Sequence, residues 1–261
     1  TGATKILFKE QSETFFRLAY ICDSDPLYLP LPETNELIWF SERNGWGHLY
    51  LYDLRSGQLK HAITGGPESA QEGKWLVRNV LHFDPKRREL LIQTAGRDSS
   101  ISPYYRDICR VNIDTGELTE LLGGNFENLV YERDNPTCSR YGLFGMGYTG
   151  SHGISSDGKY LVATRSRVDT VPESVLIDRD GRVILSVEIA DISGLSDNWV
   201  WPEPIKTLGA DGKTDIFGVI YRPADFSEDQ SYPVIDFSGG MRYYSNVAVG
   251  SFINSVLFDF P

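Results

Sequence analysis

Apolar residues along this chain fall in short blocks separated by polar turns. LIWF at 37–40 and HLYLY at 48–52 are apolar at nearly every position. A strand apolar on both faces cannot border water on either side, so this pair is expected to lie between two other layers. Asn44-Gly45 between the blocks predicts a two-residue hairpin turn, because both residues tolerate positive φ. Asp53 to Gly57 forms a second polar turn. In QLKHAIT, which follows, Leu59, His61 and Ile63 alternate with Lys60, Ala62 and Thr64, the period of a strand with one exposed face. Pro26, Pro30 and Pro32 leave room for only a short strand ahead of the pair. Trp39, Trp46, Tyr50 and Tyr52 are assigned to packing between units of this kind.

The pattern repeats. WLVRNVLHFD, ELLIQTAG, DICRVNID and ELTELLGG form a second set of strands, with Asp114-Thr115-Gly116 joining the outer two. LYLYDLRSGQLKHAITGG and CRVNIDTGELTELLGG share the order strand, Asp, turn with Gly, strand, Gly-Gly. From Ser155-Ser156-Asp157-Gly158 it returns as KYLVATRS, a loop holding Pro172, SVLIDRDG and RVILSVEI, with Asp178 to Gly181 as the outer turn. Residues 124–149 resist assignment. An internal repeat of four short strands predicts propeller blades. The fold expected is all-β: a partial β-propeller of about three four-stranded antiparallel blades over 1–195. TGATKILFKE at the start reads as a turn and one strand, so the chain is expected to begin inside a blade. The character then changes. ADISGLSDNWVWPEP reads as a linker, Asp211-Gly212 centres a hairpin, YPVIDFSGG is an apolar strand, and FINSVLFDFP suits the first turns of a helix. Residues 196–261 are therefore expected to form a second, cut-short unit.

Composition narrows the partners. The net charge is −11, and no basic run is present, which excludes an electrostatic nucleic-acid or anionic-membrane surface. Aromatics reach 12%, in keeping with β structure. No apolar run has membrane-span length and no secretory leader is visible. Cys22, Cys109 and Cys138 stand apart without CxxC spacing, giving neither a disulfide framework nor a zinc site. His48, His61, His82 and His152 lack metal spacing; His48 and His61 share one blade and could face each other, but packed imidazoles are the expectation. Gly145 to Gly150 matches GxGxxG, yet a turn and strand follow it where a dinucleotide site needs a helix. Asn135-Pro136-Thr137 is disqualified as a glycosylation acceptor by its proline. GxSxG is absent, and Ser155 and Ser156 belong to a turn. No cofactor and no metal is expected.

Together, the blades and residues 200–240 resemble the dipeptidyl peptidase IV branch of the prolyl oligopeptidase family. WFSERNGWGHLYLYDLRSGQ is similar to a late-blade motif and SSDGKYLVATRS to a last-blade strand. Pro202-Glu203, Ala210-Asp211-Gly212, Gly218, Pro223, Phe226, Tyr232-Pro233-Val234 and Gly239-Gly240 follow the order of the entry into an α/β-hydrolase domain. The resemblance implies a serine exopeptidase whose propeller admits only short or unstructured peptides. It also implies that the Ser–His–Asp triad lies downstream of Pro261, and that the glutamates gripping the substrate's amino terminus belong to earlier blades. The chain alone is then expected to be inactive. The family places a tyrosine that helps hold the oxyanion just before Gly-Gly-Pro. Here that position is Ser238, and Met241 replaces the proline. Either Ser238, Tyr243 or Tyr244 substitutes, or the parent lacks that donor; losing one such donor costs roughly a hundredfold in rate. Peptide substrate in the parent and self-association through exposed blade edges are the expected interactions. The resemblance is compatible with bacterial periplasm or cytoplasm. Two other readings stand beside it: a non-enzymatic propeller scaffold, and a propeller glycosidase built on paired carboxylates.

Overall fold

The structure, a computed structural model, describes residues 2, 4–13, 27–66, 74–130, 153–197 and 199–235. Within them the chain is all-β and forms a partial propeller of three four-stranded antiparallel sheets, with a separate two-stranded sheet after it. Blade 1 is β1 (Tyr28–Leu31), β2 (Glu36–Ser41), β3 (His48–Asp53) and β4 (Leu59–Ala62), in spatial order. Blade 2 follows as β5 (Leu76–Asp84), β6 (Glu89–Ala95), β7 (Arg106–Asn112) and β8 (Leu118–Leu122). Blade 3 is β9 (Glu127–Leu129), β10 (Tyr160–Arg167), β11 (Thr170–Asp178) and β12 (Val183–Ile189). The hairpin of β13 (Glu203–Leu208) and β14 (Asp215–Ile220) stands apart, turning at Asp211, whose Oδ1 accepts from the Lys213 and Thr214 amides.

The two apolar strands of blade 1 are buried on both faces, as their composition requires. Ile38, Phe40, Leu49 and Leu51 are all but inaccessible and pack with Val77, Leu90, Ile92 and Val111 of blade 2. A smaller cluster joins blades 2 and 3 through Ile108, Leu121, Leu122, Leu161, Ala163, Val175 and Ile177. Burying each large aliphatic side chain contributes about 1.5–3 kcal/mol, so these two seams hold the blades together.

A turn recurs at the seams. Asp53, Asn112 and Asp178 each end the third strand of a blade, and their Oδ1 atoms accept two amides of the turn that follows. In the second blade this acceptor is Asn112; Asp114 lies in the turn, as the sequence indicates, and ion-pairs with Arg88. Each turn carries a glycine of positive φ: Gly57, Gly116 and Gly181. A Cβ at Gly116 would lie 3.2 Å from the Ile63 carbonyl oxygen, and one at Gly181 2.6 Å from that of Leu121. Gly57 abuts the Leu7 carbonyl in the same manner. Residues 4–10 thus sit against blade 1 where an outer strand sits against blades 2 and 3.

Several expectations change. The connection around Asn44-Gly45 spans 42–47, with the Gly45 amide donating to the Glu42 carbonyl at 2.8 Å, and is not a two-residue turn. Pro172 lies inside β11, and the hairpin turns at Val168-Asp169. The proline is tolerated because it falls at the register shift between Arg165 and Arg167, where β10 pairs no residue with it and no amide is needed; its carbonyl accepts from the Ala190 amide at 3.0 Å. Blade 3 takes its inner strand β9 from the stretch that resisted assignment; Asn128 pairs with Arg165 in the register. β4 does not alternate: exposure falls from Leu59 (45%) to Ile63 (2%) as the strand runs under blade 2. Trp46 is 39% exposed and is not packed between blades. Residues 231–235, the described start of the apolar YPVIDFSGG block, form no strand, and Val234 and Ile235 stand exposed. The rest of that block and the 252–261 tail lie outside the described residues.

Candidate functional site

The connection between the second and third strand of each blade emerges on one side of the propeller, with an arginine in it or, in blade 3, at the strand end just before it. In blade 1 the Arg43 guanidinium lies 4.1 Å over the Tyr50 ring and donates to the Tyr52 hydroxyl at 2.7 Å. Glu10 of the N-terminal segment is 3.3 Å from it and also accepts from the Trp39 indole at 2.7 Å. In blade 3 Arg167 closes an ion pair with Asp169 across the tight turn.

Blade 2 builds the densest cluster. Arg97 donates to Glu120 on β8 at 2.8 Å and to the Cys109 Sγ at 3.3 Å, and its charge lies 6.0 Å over the Trp75 ring. Asp107, on β7, is 4.0 Å from the same guanidinium and only 3% exposed. Burial pushes the Asp107 carboxyl up to about 7; the negative charge of Glu120 adds to this and Arg97 opposes it. Burial also pushes the Cys109 thiol up to about 12, so it is a packed thiol and not a nucleophile. A carboxyl that titrates near neutrality is a candidate proton donor or acceptor. Its surroundings limit what it can do: the hydroxyl of its cross-strand neighbour Thr94 is fully buried and lies 3.5 Å from the Cys109 sulfur.

The cleft between blades 2 and 3 offers no alternative. It is lined by His82, Asp84, Arg110, Lys159, Asp178 and Arg179 and encloses about 30 Å³, room for about two waters. Substrate pockets are an order of magnitude larger, at about 300 Å³ and above. His48 Nδ1 does meet a hydroxyl, Thr64 Oγ1 at 3.1 Å, but both are sealed under Trp75, and that oxygen already accepts the Leu49 amide. His61 Nε2 instead donates to the Ile113 carbonyl across the blade seam at 2.7 Å. The two imidazoles therefore have separate, structural partners and do not face each other. Ser155 makes its turn, accepting the Lys159 and Tyr160 amides at 3.0 Å. Among the described residues no cluster of His, Cys, Asp or Glu is arranged to hold a metal ion. Among the described residues no helix is long and apolar enough to cross a membrane.

The β13–β14 hairpin meets the 96–105 connection on the side carrying the arginines. Tyr104, in the 96–105 connection of blade 2, meets Phe217 of β14 edge to face at 5.8 Å, and Lys206 of β13 lies 5.5 Å over the Phe217 ring. The oxyanion candidates Ser238, Tyr243 and Tyr244, and the GxGxxG segment at 145–150, lie outside the described residues. The Arg97–Asp107–Glu120 cluster was not anticipated from sequence. A signal for it exists: Asp107 is in phase with Cys109 and Val111, so it shares the buried face of β7.

Residues 1–171 match the family model of the dipeptidyl peptidase IV (DPP IV) N-terminal region. The fold is also similar to a crystal structure from Bacteroides ovatus, of a candidate dipeptidyl aminopeptidase IV, with a TM-score of 0.54 and 20% identity. That match covers 76% of this chain and 26% of the other, so the chain spans about a quarter of the length of the structure it matches.

Proposed function

Given that the chain belongs to the dipeptidyl peptidase IV family through its N-terminal region, we propose that it is the blade-bearing part of a serine exopeptidase of the dipeptidyl peptidase type. Residues 1–195 form part of the propeller that limits access to short peptides. Residues 196–261 link it to, and begin, the α/β-hydrolase domain that holds the triad. The observation that carries this reading is the succession of blades and hairpin on one chain. The β13–β14 hairpin attaches by Phe217 to Tyr104, on the side where each blade presents its second connection. A propeller used only as a scaffold has no place for that hairpin, and a glycosidase needs two facing carboxylates on an open funnel, whereas Asp107 is buried and Glu120 is bound to Arg97.

In this reading the chain by itself hydrolyses nothing, and its contribution is steric. A fluorogenic dipeptidyl amide ending in proline, incubated with the purified chain, is expected to release no fluorophore above buffer. Turnover abolished by a serine-directed phosphonate would overturn the reading. For the oxyanion donor, the parent enzyme carrying Ser238→Ala, Tyr243→Phe or Tyr244→Phe is the test. The variant that removes the donor should lose roughly a hundredfold or more in kcat with little change in KM.

A further inference from the structure

Of the three arginines at or beside the blade connections, one is bound differently from the others. Arg43 and Arg167 ion-pair with Glu10 and Asp169. Arg97 faces two carboxylates and holds one of them: its Nη1 donates to Glu120 at 2.8 Å, while Asp107 stands 4.0 Å from the same nitrogen. Among the described residues the Asp107 side chain accepts no hydrogen bond, although it is only 3% exposed. A buried carboxylate without a partner is costly once it is ionised. Both carboxylates border the space left open by Gly123. A Cβ there would meet the Glu120 carboxylate and lie 3.1 Å from Asp107 Oδ1.

The proton on Asp107 decides where Arg97 can rest. Burial, with the charge of Glu120, holds this carboxyl at about 7 and Arg97 opposes them; Asp98 in the connection, Glu127 on β9 and the Cys109 thiol on β7 are the other titratable groups near it. A protonated Asp107 exerts little pull, and Arg97 stays with Glu120 at the blade surface. An ionised Asp107 offers a charge-assisted hydrogen bond of about 2.8 Å, which a guanidinium movement of about 1 Å would close. The five donors of the planar fork suffice for both carboxylates. Because Asp107 is the more deeply buried of the two, the movement draws the 96–105 connection towards the blade. That connection is folded on itself. Asp98 Oδ1 accepts from the Ser100 amide, the Tyr105 amide donates to the Ser102 carbonyl, and a Cβ at Gly96 would lie 4.0 Å from the Pro103 carbonyl oxygen. Arg97 near its start and Tyr104 near its end, where it meets Phe217, thus belong to one small body.

We propose that Arg97 is a latch with two positions, on Glu120 alone while Asp107 carries its proton and across both carboxylates once the proton has left. The second position ties the 96–105 connection more tightly to blade 2, at the place where it meets the β13–β14 hairpin. The proton passes from the Asp107 carboxyl to water, and no bond between heavy atoms changes. The latch does not depend on the peptidase reading above.

Trp75 reports the position, because the Arg97 charge lies 6.0 Å over its ring. Tryptophan fluorescence of the full chain, titrated from about pH 5 to about pH 9, should show a step centred near 7. Asp107→Asn keeps the shape and removes the charge, and should abolish the step; Trp75→Phe should abolish it as well. Glu120→Gln should move the midpoint to lower pH, because Asp107 loses a negative neighbour and Arg97 loses its other carboxylate. Hydrogen exchange of the amides of the 96–105 connection, corrected for its intrinsic pH dependence, should be several-fold slower at about pH 8 than at about pH 6. In Asp107→Asn the two should agree. Far-ultraviolet circular dichroism checks that each variant is folded. His48 also meets the Trp75 ring, edge to face at 4.8 Å. A step that survives Asp107→Asn therefore belongs to that imidazole and overturns the proposal. So does a midpoint that does not fall in Glu120→Gln, or corrected exchange in the connection that is the same at both pH values in the wild type.

Discussion

The seam between blades 1 and 2 and the seam between blades 2 and 3 are built on the same turns and the same strand order, yet they are held by different chemistry. The first is mainly apolar. Phe40, Ile38, Leu49 and Leu51 meet Val77, Leu90, Ile92 and Val111, and the polar contacts that close it, His61 to Ile113 and Arg88 to Glu36 at 2.8 Å, lie at the margin. The second has fewer large apolar side chains, with Ala163 in the middle of them, and a buried polar network instead. Gln93 donates to the Asn128 carbonyl at 3.2 Å, Asn128 donates to the Arg106 carbonyl at 2.7 Å, Arg110 donates to the Arg179 carbonyl at 2.7 Å, and Arg179 ion-pairs with Glu89. A repeat therefore fixes backbone geometry while leaving each seam free to be filled differently. An apolar seam tolerates changes of pH and salt and responds to lost volume. A polar seam depends on every partner being present.

The largest test of that contrast is volume. Phe40→Ala should cost about 3–5 kcal/mol in urea unfolding, because the fully buried ring leaves a cavity the strands cannot close. Val175→Ala, at the other seam, should cost about 1–3 kcal/mol. Equal costs would break the distinction. Next in size is the feature both seams share. Gly181→Ala should cost about 2 kcal/mol or more, from the left-handed φ and the Leu121 carbonyl in its path, whereas Gly66→Ala, with open space around it, should stay within about 0.5 kcal/mol. If the two glycines behave alike, the turn-to-carbonyl contact does not hold the blades. The finest test is pH. Asp107 titrates at about 7 in the fold and at about 4 when unfolded, so the folded state binds its proton more tightly. The stability this proton provides is present below pH 4 and is lost as pH rises towards 7, at up to about 1.4 kcal/mol per pH unit. Glu120, Arg97, Asp98 and Glu127 face the same carboxyl and shape that curve. Asp107→Asn should flatten it and leave the variant relatively more stable at pH 8; an unchanged slope would assign the pH response elsewhere.

Much of the fold was legible because it rests on local rules. The apolar LIWF and HLYLY blocks demanded burial on both sides, and the Asp/Asn-to-Gly turns marked where third strands end. What could not be read depended on contacts between distant residues. β9 has three residues and little pattern of its own; it is a strand because Glu127 to Leu129 pair with β10. Pro172 signals a loop by itself, but near the start of β11 it needs no amide donor. Asp107 looks like a surface residue until the phase of β7 places it inward, and nothing local states that Arg97, ten residues back, will share its charge with Glu120. The resemblance placed the oxyanion candidates at 238, 243 and 244, a region that only the parent enzyme can test.

The glycine of each outer turn rests on a carbonyl that came earlier in the chain: Gly57 on Leu7, Gly116 on Ile63, Gly181 on Leu121. The contact never points forward. During synthesis from the amino terminus, the surface that receives each new turn has therefore already left the ribosome when the turn appears. Each outer turn thus meets a surface that is already made, while the apolar faces of blade 1 are covered only when blade 2 follows.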